Sequence, residues 1–76
     1  MKKTQIRLAT IADVRDFVNI VAGFDGDVDL ISGRYVVDGK SIMGIFSLDL
    51  LSPIEVQTES AHADELFVKL APYIVK

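Results

Sequence analysis

Four short runs of alternating or β-branched residues predict strands. Residues 5–8 and 54–58 alternate polar and apolar side chains, the pattern of a strand with one face on a core. Residues 28–31 and 35–37 are rich in β-branched and aromatic side chains, and the connection Ser32-Gly33-Arg34 is short enough for a hairpin. The pattern therefore predicts two separate half-buried strands and one hairpin.

Three other segments have apolar residues at helical spacing. The clearest predicted helix begins at Thr10, an N-cap residue with an acid three positions later, and ends at Gly23. A second, short helix is predicted to begin at Ser41, where the two-residue alternation is lost. A third follows Ser60 as its cap and ends or kinks at Pro72.

The predicted order of elements is β-α-β-β-α-β-α. Four amphipathic strands with three helices over one face form a two-layer α+β sandwich, and short connections favour antiparallel pairing. The 76 residues are near the lower end of what folds alone. We therefore expect one domain over residues 1–76 in which nearly every large apolar residue serves the core.

Composition narrows the classes of function. The absence of cysteine removes disulfides, thiolate nucleophiles and cysteine metal sites, and favours the cytoplasm. The basic Met1-Lys2-Lys3 precedes Thr4-Gln5, where a signal peptide needs apolar residues, and no apolar run approaches the roughly 20 residues that span a bilayer. A net charge of −3 with scattered basic residues argues against nucleic acid or a membrane as partner. We expect a soluble, cytoplasmic protein.

Two stretches are similar to phosphate- or ion-binding loops but have the wrong spacing. Residues 33–41, GRYVVDGKS, place five residues between the glycines where the phosphate loop needs four. Asp25, Asp27 and Asp29 alternate, but Gly26 is not at the position that a calcium loop requires. We therefore expect neither a nucleotide cofactor nor a metal at these places.

His62, the only histidine, falls in the first turn of the last predicted helix near Ser60, Asp64 and Glu65. As a general base or a metal ligand it would need partners that the sequence does not display. The simpler interpretation is a surface histidine. No catalytic set of residues emerges, so we expect a protein that acts by being bound and is not an enzyme.

Ser41 is suited to modification as well as to capping, because a phosphate there would meet free N–H groups at a helix start. A plain N-cap is the simpler interpretation. Ile42, Met43 and Phe46 are candidates for an exposed apolar patch, since a short helix cannot bury all its faces. Gly44 is costly inside a helix and indicates a place where another backbone or a partner comes close.

Residues 37–48, VDGKSIMGIFSL, resemble the central segment of HPr, the phosphocarrier protein of the bacterial sugar phosphotransferase system, in which KSIMG, two apolar residues and SL recur. Residues 24–30, FDGDVDL, also resemble the segment that leads into the second strand of that family. The similarity spans about three quarters of the chain. It implies an HPr-like open-faced β-sandwich with a four-stranded antiparallel sheet.

The resemblance fails at the phosphocarrier site of the family. HPr proteins carry phosphate on a histidine in a Gly-x-His-Ala-Arg-Pro loop before the first helix, whereas residues 8–15 contain no His, Gly or Pro. Arg15 lies nearby without a matching motif. Transfer through a histidine at the usual place is therefore not expected.

The match that remains places Ser41 at the family's regulatory serine, which an ATP-dependent kinase phosphorylates, and Ile42, Met43 and Phe46 on its partner-facing helix. This pattern is similar to catabolite-repression HPr, a relative that lost the histidine, kept the serine and serves as a corepressor. The resemblance implies a regulatory, protein-binding module whose partner is HPr kinase, a transcription regulator or a phosphotransferase component.

Two other functions stay open. One is a phosphocarrier of another kind, which would use Thr10 or His62 as acceptor from enzyme I. The other is an HPr-fold structural or interaction protein outside the sugar system.

Overall fold

The predicted α+β fold and its order of elements are confirmed by a computed structural model, which describes residues 2–75. The expected domain over residues 1–76 therefore has its two end residues outside the described range. The elements are β1 (Lys2–Ile6), α1 (Ile11–Ala22), β2 (Asp29–Ser32), β3 (Tyr35–Asp38), α2 (Ile42–Phe46), β4 (Ile54–Thr58), α3 (Ala63–Lys69) and a 3-10 turn (Ala71–Tyr73).

The four strands form one antiparallel sheet in the order β1-β4-β2-β3. Alternation along β4 shows which side carries the helices, because Ile54, Val56 and Thr58 are buried whereas Glu55 and Gln57 are only half-buried. We call the side of Glu55 and Gln57 the open face. Strand β3 forms one edge of the sheet, and α2 packs over it.

The helices differ greatly in how firmly they are anchored. Helix α1 buries Val14, Phe17 and Val21 completely, whereas α2 buries only Ile45. Burial of a large apolar side chain stabilises a fold by about 1.5–3 kcal/mol, so α1 is a main contributor to the core. The other fully buried apolar side chains come from the sheet, α3 and the loops: Ile6, Leu8, Val28, Leu30, Ile54, Val56, Leu66 and Leu70.

The first strand was predicted wrongly, since β1 covers Lys2–Ile6 and not residues 5–8. Its ladder with β4 ends at the pair Ile6–Ile54, because β4 itself begins there, directly after Pro53. Leu8 is nevertheless buried, although it lies beyond the strand.

The start of the last helix was also misplaced. Helix α3 begins at Ala63 with His62 as its N-cap residue, and Ser60 instead accepts a hydrogen bond from the His62 N–H at 3.1 Å. The serine therefore closes a turn one step ahead of the helix. Within residues 2–75, every helix is too short or too polar to cross a membrane.

Candidate functional site

The N-terminal end of α1 is closed by side chains of the helix itself. The Thr10 hydroxyl accepts from the Asp13 N–H at 3.1 Å, and the Asp13 carboxylate accepts from the Ala9 and Thr10 N–H groups at 2.9 and 3.3 Å. This is a complete capping box, as the sequence predicts. A carboxylate thus occupies the N–H groups that would otherwise face an incoming anion at this helix start.

Ser41 lies at the start of α2 with its side chain exposed. Its hydroxyl oxygen accepts from the Gly44 N–H at 3.2 Å, and its carbonyl accepts from Ile45. The turn ahead of it is fixed by Asp38, whose carboxylate accepts from the Lys40 N–H at 2.9 Å. The predicted N-cap is therefore confirmed, and the hydroxyl lies where a modifying protein could reach it.

An apolar surface lies beside this hydroxyl on the same short helix. Ile42, Met43 and Phe46 are 38%, 77% and 40% exposed, and we call these three side chains the α2 patch. The patch exists because a five-residue helix that anchors itself through Ile45 turns its remaining apolar residues outward. Exposed Met and Phe side chains grouped in this way are typical of contact surfaces.

Gly44 lets α2 lie close to strand β3. A Cβ atom at Gly44 would come within 3.4 Å of the Val37 Cβ and 3.2 Å of the Ser41 hydroxyl. The approach is therefore close, but the neighbours are side chains of Val37 and Ser41 and not another backbone.

His62 has a partner that sequence reasoning missed. Its Nδ1 lies 3.3 Å from a carboxylate oxygen of Asp25, which is 37 positions away in the chain. The loop that carries Asp25 packs tightly on the start of α3, since a Cβ atom at Gly26 would come within 2.8 Å of the Ser60 Cβ. Thr58 ties the two segments together by donating to the Asp27 carbonyl at 2.7 Å.

Beside His62 lies an open cleft of about 530 Å³, lined by residues 25–27, 29 and 57–62. Four carboxylates line it, from Asp25, Asp27, Asp29 and Glu59, and no Lys or Arg does. A carboxylate that orients an imidazole is useful for proton or phosphoryl transfer. The surrounding negative charge, however, opposes the approach of a phosphate anion.

The two segments that are similar in sequence to phosphate- or ion-binding loops lie in and directly before the β2–β3 hairpin. Gly33 has a positive φ of 61° in the hairpin turn, and the residues after Arg34 form strand β3, so residues 33–41 build no phosphate-cradling loop. Within residues 2–75 no group of three or more His, Asp or Glu side chains could hold a metal ion. Asp25, Asp27 and Asp29 lead into β2 along the acidic cleft.

No protein-family model matches the sequence, and no curated protein matches it significantly. Solved structures do match over nearly the whole chain. HPr-C-His from Thermoanaerobacter tengcongensis has a TM-score of 0.80 at 24% identity, covering 95% of this chain and 89% of that one. The histidine-containing phosphocarrier protein of a Mycoplasma has a TM-score of 0.73 at 16% identity, covering 93% and 86%.

The phosphocarrier protein HPr from Bacillus anthracis strain Ames is similar in sequence as well as in fold. It has a TM-score of 0.77 and 26% identity, over 97% of this chain and 96% of its own. The two less similar structures support the fold alone. Together with the KSIMG segment at the start of α2, these matches show the HPr fold and support membership of the HPr family.

Proposed function

We propose that this chain is a regulatory, protein-binding module of the sugar phosphotransferase system that does not carry phosphate on a histidine. A partner docks on the α2 patch, and phosphorylation of Ser41 switches its affinity. The observation that carries the proposal is the juxtaposition of an exposed serine hydroxyl with the exposed side chains of Ile42, Met43 and Phe46. These are also the positions that match the family's regulatory serine and partner-facing helix.

The switch follows from the charge that a phosphate adds. A phosphoserine carries about −1.5 to −2 charges at neutral pH and three acceptor oxygens, and here they would lie at the rim of an apolar contact. A partner that buries the α2 patch must then either pair this charge with Arg or Lys or leave it desolvated. Phosphorylation therefore changes affinity in a direction set by the partner's own charge.

A phosphocarrier role through Thr10 or His62 has weaker support. The Thr10 hydroxyl is held by the Asp13 N–H, and the Asp13 carboxylate lies at the N–H groups beside it. His62 is oriented by Asp25, which favours acceptor chemistry, but it faces the acidic cleft. Since the donor and the product are both anionic, neither place offers the electrostatic stabilisation that phosphoryl transfer requires.

The first test is a pair of labelling reactions on the purified chain. With ATP and an HPr kinase, we expect phosphate on Ser41, located by mass spectrometry and abolished in Ser41→Ala. With phosphoenolpyruvate and enzyme I, we expect no acid-labile label. An unmodified Ser41 would remove the switch, and label on His62 that is lost in His62→Ala would favour the phosphocarrier role instead.

The second test asks whether the α2 patch is the docking surface. Met43→Glu places a charge in the patch, and Val68→Glu makes the same change on α3, where Val68 is 74% exposed compared with 77% for Met43. Partners recovered with the wild-type chain should be lost with Met43→Glu and kept with Val68→Glu. Equal recovery by both variants would contradict the assignment, and recovery of neither enzyme I nor a transcription regulator would favour a role outside the sugar system.

A further inference from the structure

The two edges of the sheet are protected to different degrees. At the β1 edge the chain after α3 returns alongside the strand, with a bridge between Ile6 and Ile74 and a hydrogen bond from the Val75 N–H to the Gln5 carbonyl at 2.8 Å. At the β3 edge no strand of residues 2–75 lies alongside. An uncovered edge offers a row of unpaired backbone groups to another strand.

The register of the hairpin shows which backbone groups of β3 point outward. The Gly39 N–H donates to the Val28 carbonyl at 2.7 Å, and the next pairs are Asp29–Asp38, Leu30–Val37 and Ile31–Val36. Hydrogen-bonded and non-hydrogen-bonded pairs alternate in an antiparallel ladder. Val36 and Asp38 therefore direct their N–H and carbonyl groups away from β2, toward the free edge.

The side chains along this edge alternate as well. Val36 and Asp38 lie on the open face, opposite Ile31 and Asp29 of β2, and Val36 is 63% exposed. Asp38 and Asp29 are like charges directly opposite each other, an arrangement that destabilises a sheet. Arg34, two positions before Val36, is exposed and forms no ion pair within residues 2–75.

Residues 34–38 have the sequence Arg-Tyr-Val-Val-Asp, which is self-complementary in charge about its centre. If two copies align their β3 strands antiparallel with Val36 opposite Val36, each Arg34 lies opposite Asp38 of the other copy. The two Val36 residues then form a hydrogen-bonded pair, because their N–H and carbonyl groups point toward the free edge. The same alignment places Arg34 of the second copy beside Asp38, where its positive charge offsets the repulsion between Asp38 and Asp29.

We propose that a second copy of this chain binds at the β3 edge, so that two four-stranded sheets join into one across a two-fold axis at Val36. A two-fold interface must be self-complementary, and the paired Arg34 and Asp38 satisfy that requirement twice. The occupant is therefore the same chain, because a foreign antiparallel strand would need the same order, a basic residue followed four positions later by an acidic one, by chance. An interface of about five residues a side is small, so the association is weak and depends on concentration.

The test uses two charge-reversed variants, Arg34→Asp and Asp38→Arg, in sedimentation and amide-exchange measurements from about 10 µM to about 1 mM. Because Asp38→Arg also removes the acceptor of the Lys40 N–H, amide exchange of each variant at the lowest concentration checks that the fold is kept. The wild-type mass should rise above 8.4 kDa with concentration, and the Val36 amide should become protected. Each variant alone should associate about tenfold or more weakly, because opposite charges become like ones. An equimolar mixture should associate again, since both ion pairs are restored between the two variants.

Two further variants make the proposal falsifiable. Val36→Pro removes an N–H that points away from β2, so the fold should survive while association is lost. Met43→Glu changes the α2 patch and should leave association unchanged. A wild-type chain that stays monomeric at about 1 mM would overturn the proposal. So would association that Val36→Pro leaves intact, or failure of the mixed variants to associate.

Discussion

The two helices that begin with a hydroxyl cap, α1 and α2, differ in how their starts are capped and in how many side chains they bury. Thr10 and Asp13 close the start of α1 with three hydrogen bonds, and the helix is held by three fully buried side chains. Ser41 caps α2 with one hydrogen bond, and that helix is held by Ile45. Both hydroxyl-bearing residues are exposed, but a carboxylate of α1 lies beside Thr10, whereas three exposed apolar side chains of α2 follow Ser41.

This difference teaches that a cap residue does not by itself predict function. At α1 the acid three positions later accepts from the Ala9 and Thr10 N–H groups, so a carboxylate of the helix itself lies at its start. At α2 the third position is Gly44, which has no side chain to reach back, and the equivalent Lys40 and Ser41 N–H groups donate to Asp38 at the end of β3. The two caps therefore differ in the source of their acceptors, which is the first turn of the helix itself at α1 and the end of β3 at α2.

The largest effect that would separate the two helices comes from truncating one phenylalanine in each. Phe17→Ala removes a fully buried ring of α1 and should lower the free energy of unfolding by about 3–5 kcal/mol. Phe46→Ala removes a ring of α2 that is 40% exposed and should cost about 1 kcal/mol or less. Urea unfolding of both variants measures the difference, and equal losses would show that α2 is anchored as firmly as α1.

A smaller effect is expected from removing the caps. Thr10→Ala should cost about 1 kcal/mol, because it breaks the reciprocal pair with Asp13, and Ser41→Ala about 0.5 kcal/mol, because only one hydrogen bond to a short helix is lost. The urea midpoints of the two variants give the comparison. Thr10→Ser, which keeps a hydroxyl, should retain most of the stability, and a larger loss for Ser41→Ala than for Thr10→Ala would contradict the contrast.

Much of this fold could be predicted from sequence because local rules and tertiary packing agree. The capping box of Thr10, the end of α1 at Gly23 and the alternation along β4 each have a physical signal within a few residues. The short helix from Ser41 could be predicted for the same reason. At these places the residues that make the structure are neighbours in the chain.

The rest depended on contacts between distant residues, which a single sequence does not display. The end of β1 is set by its register with β4, and the partner of His62 is Asp25 in a loop that precedes β2. Exposure of the α2 patch could be anticipated from helix length, but the free edge at β3 could not, because it follows from the order of strands in the sheet. Contacts between distant residues therefore determine where β1 ends, which residue pairs with His62 and which strand edge of the sheet is free.

The smallest effect expected is a loss of stability at alkaline pH that originates at the Tyr73 phenol, near the first two turns of α1. Burial, together with the charges of Asp16 and Asp13, raises the pKa of Tyr73 above its ordinary value near 10. A proton bound more tightly in the folded state stabilises that state fully below about pH 10, and this contribution is lost as the pH rises through the raised pKa. The urea midpoint of the wild type should therefore fall more steeply above pH 10 than that of Tyr73→Phe. Asp16→Asn should lie between them, because one of the two charges is removed, and identical profiles for the wild type and Tyr73→Phe would show that the pKa of this phenol is not raised in the folded state.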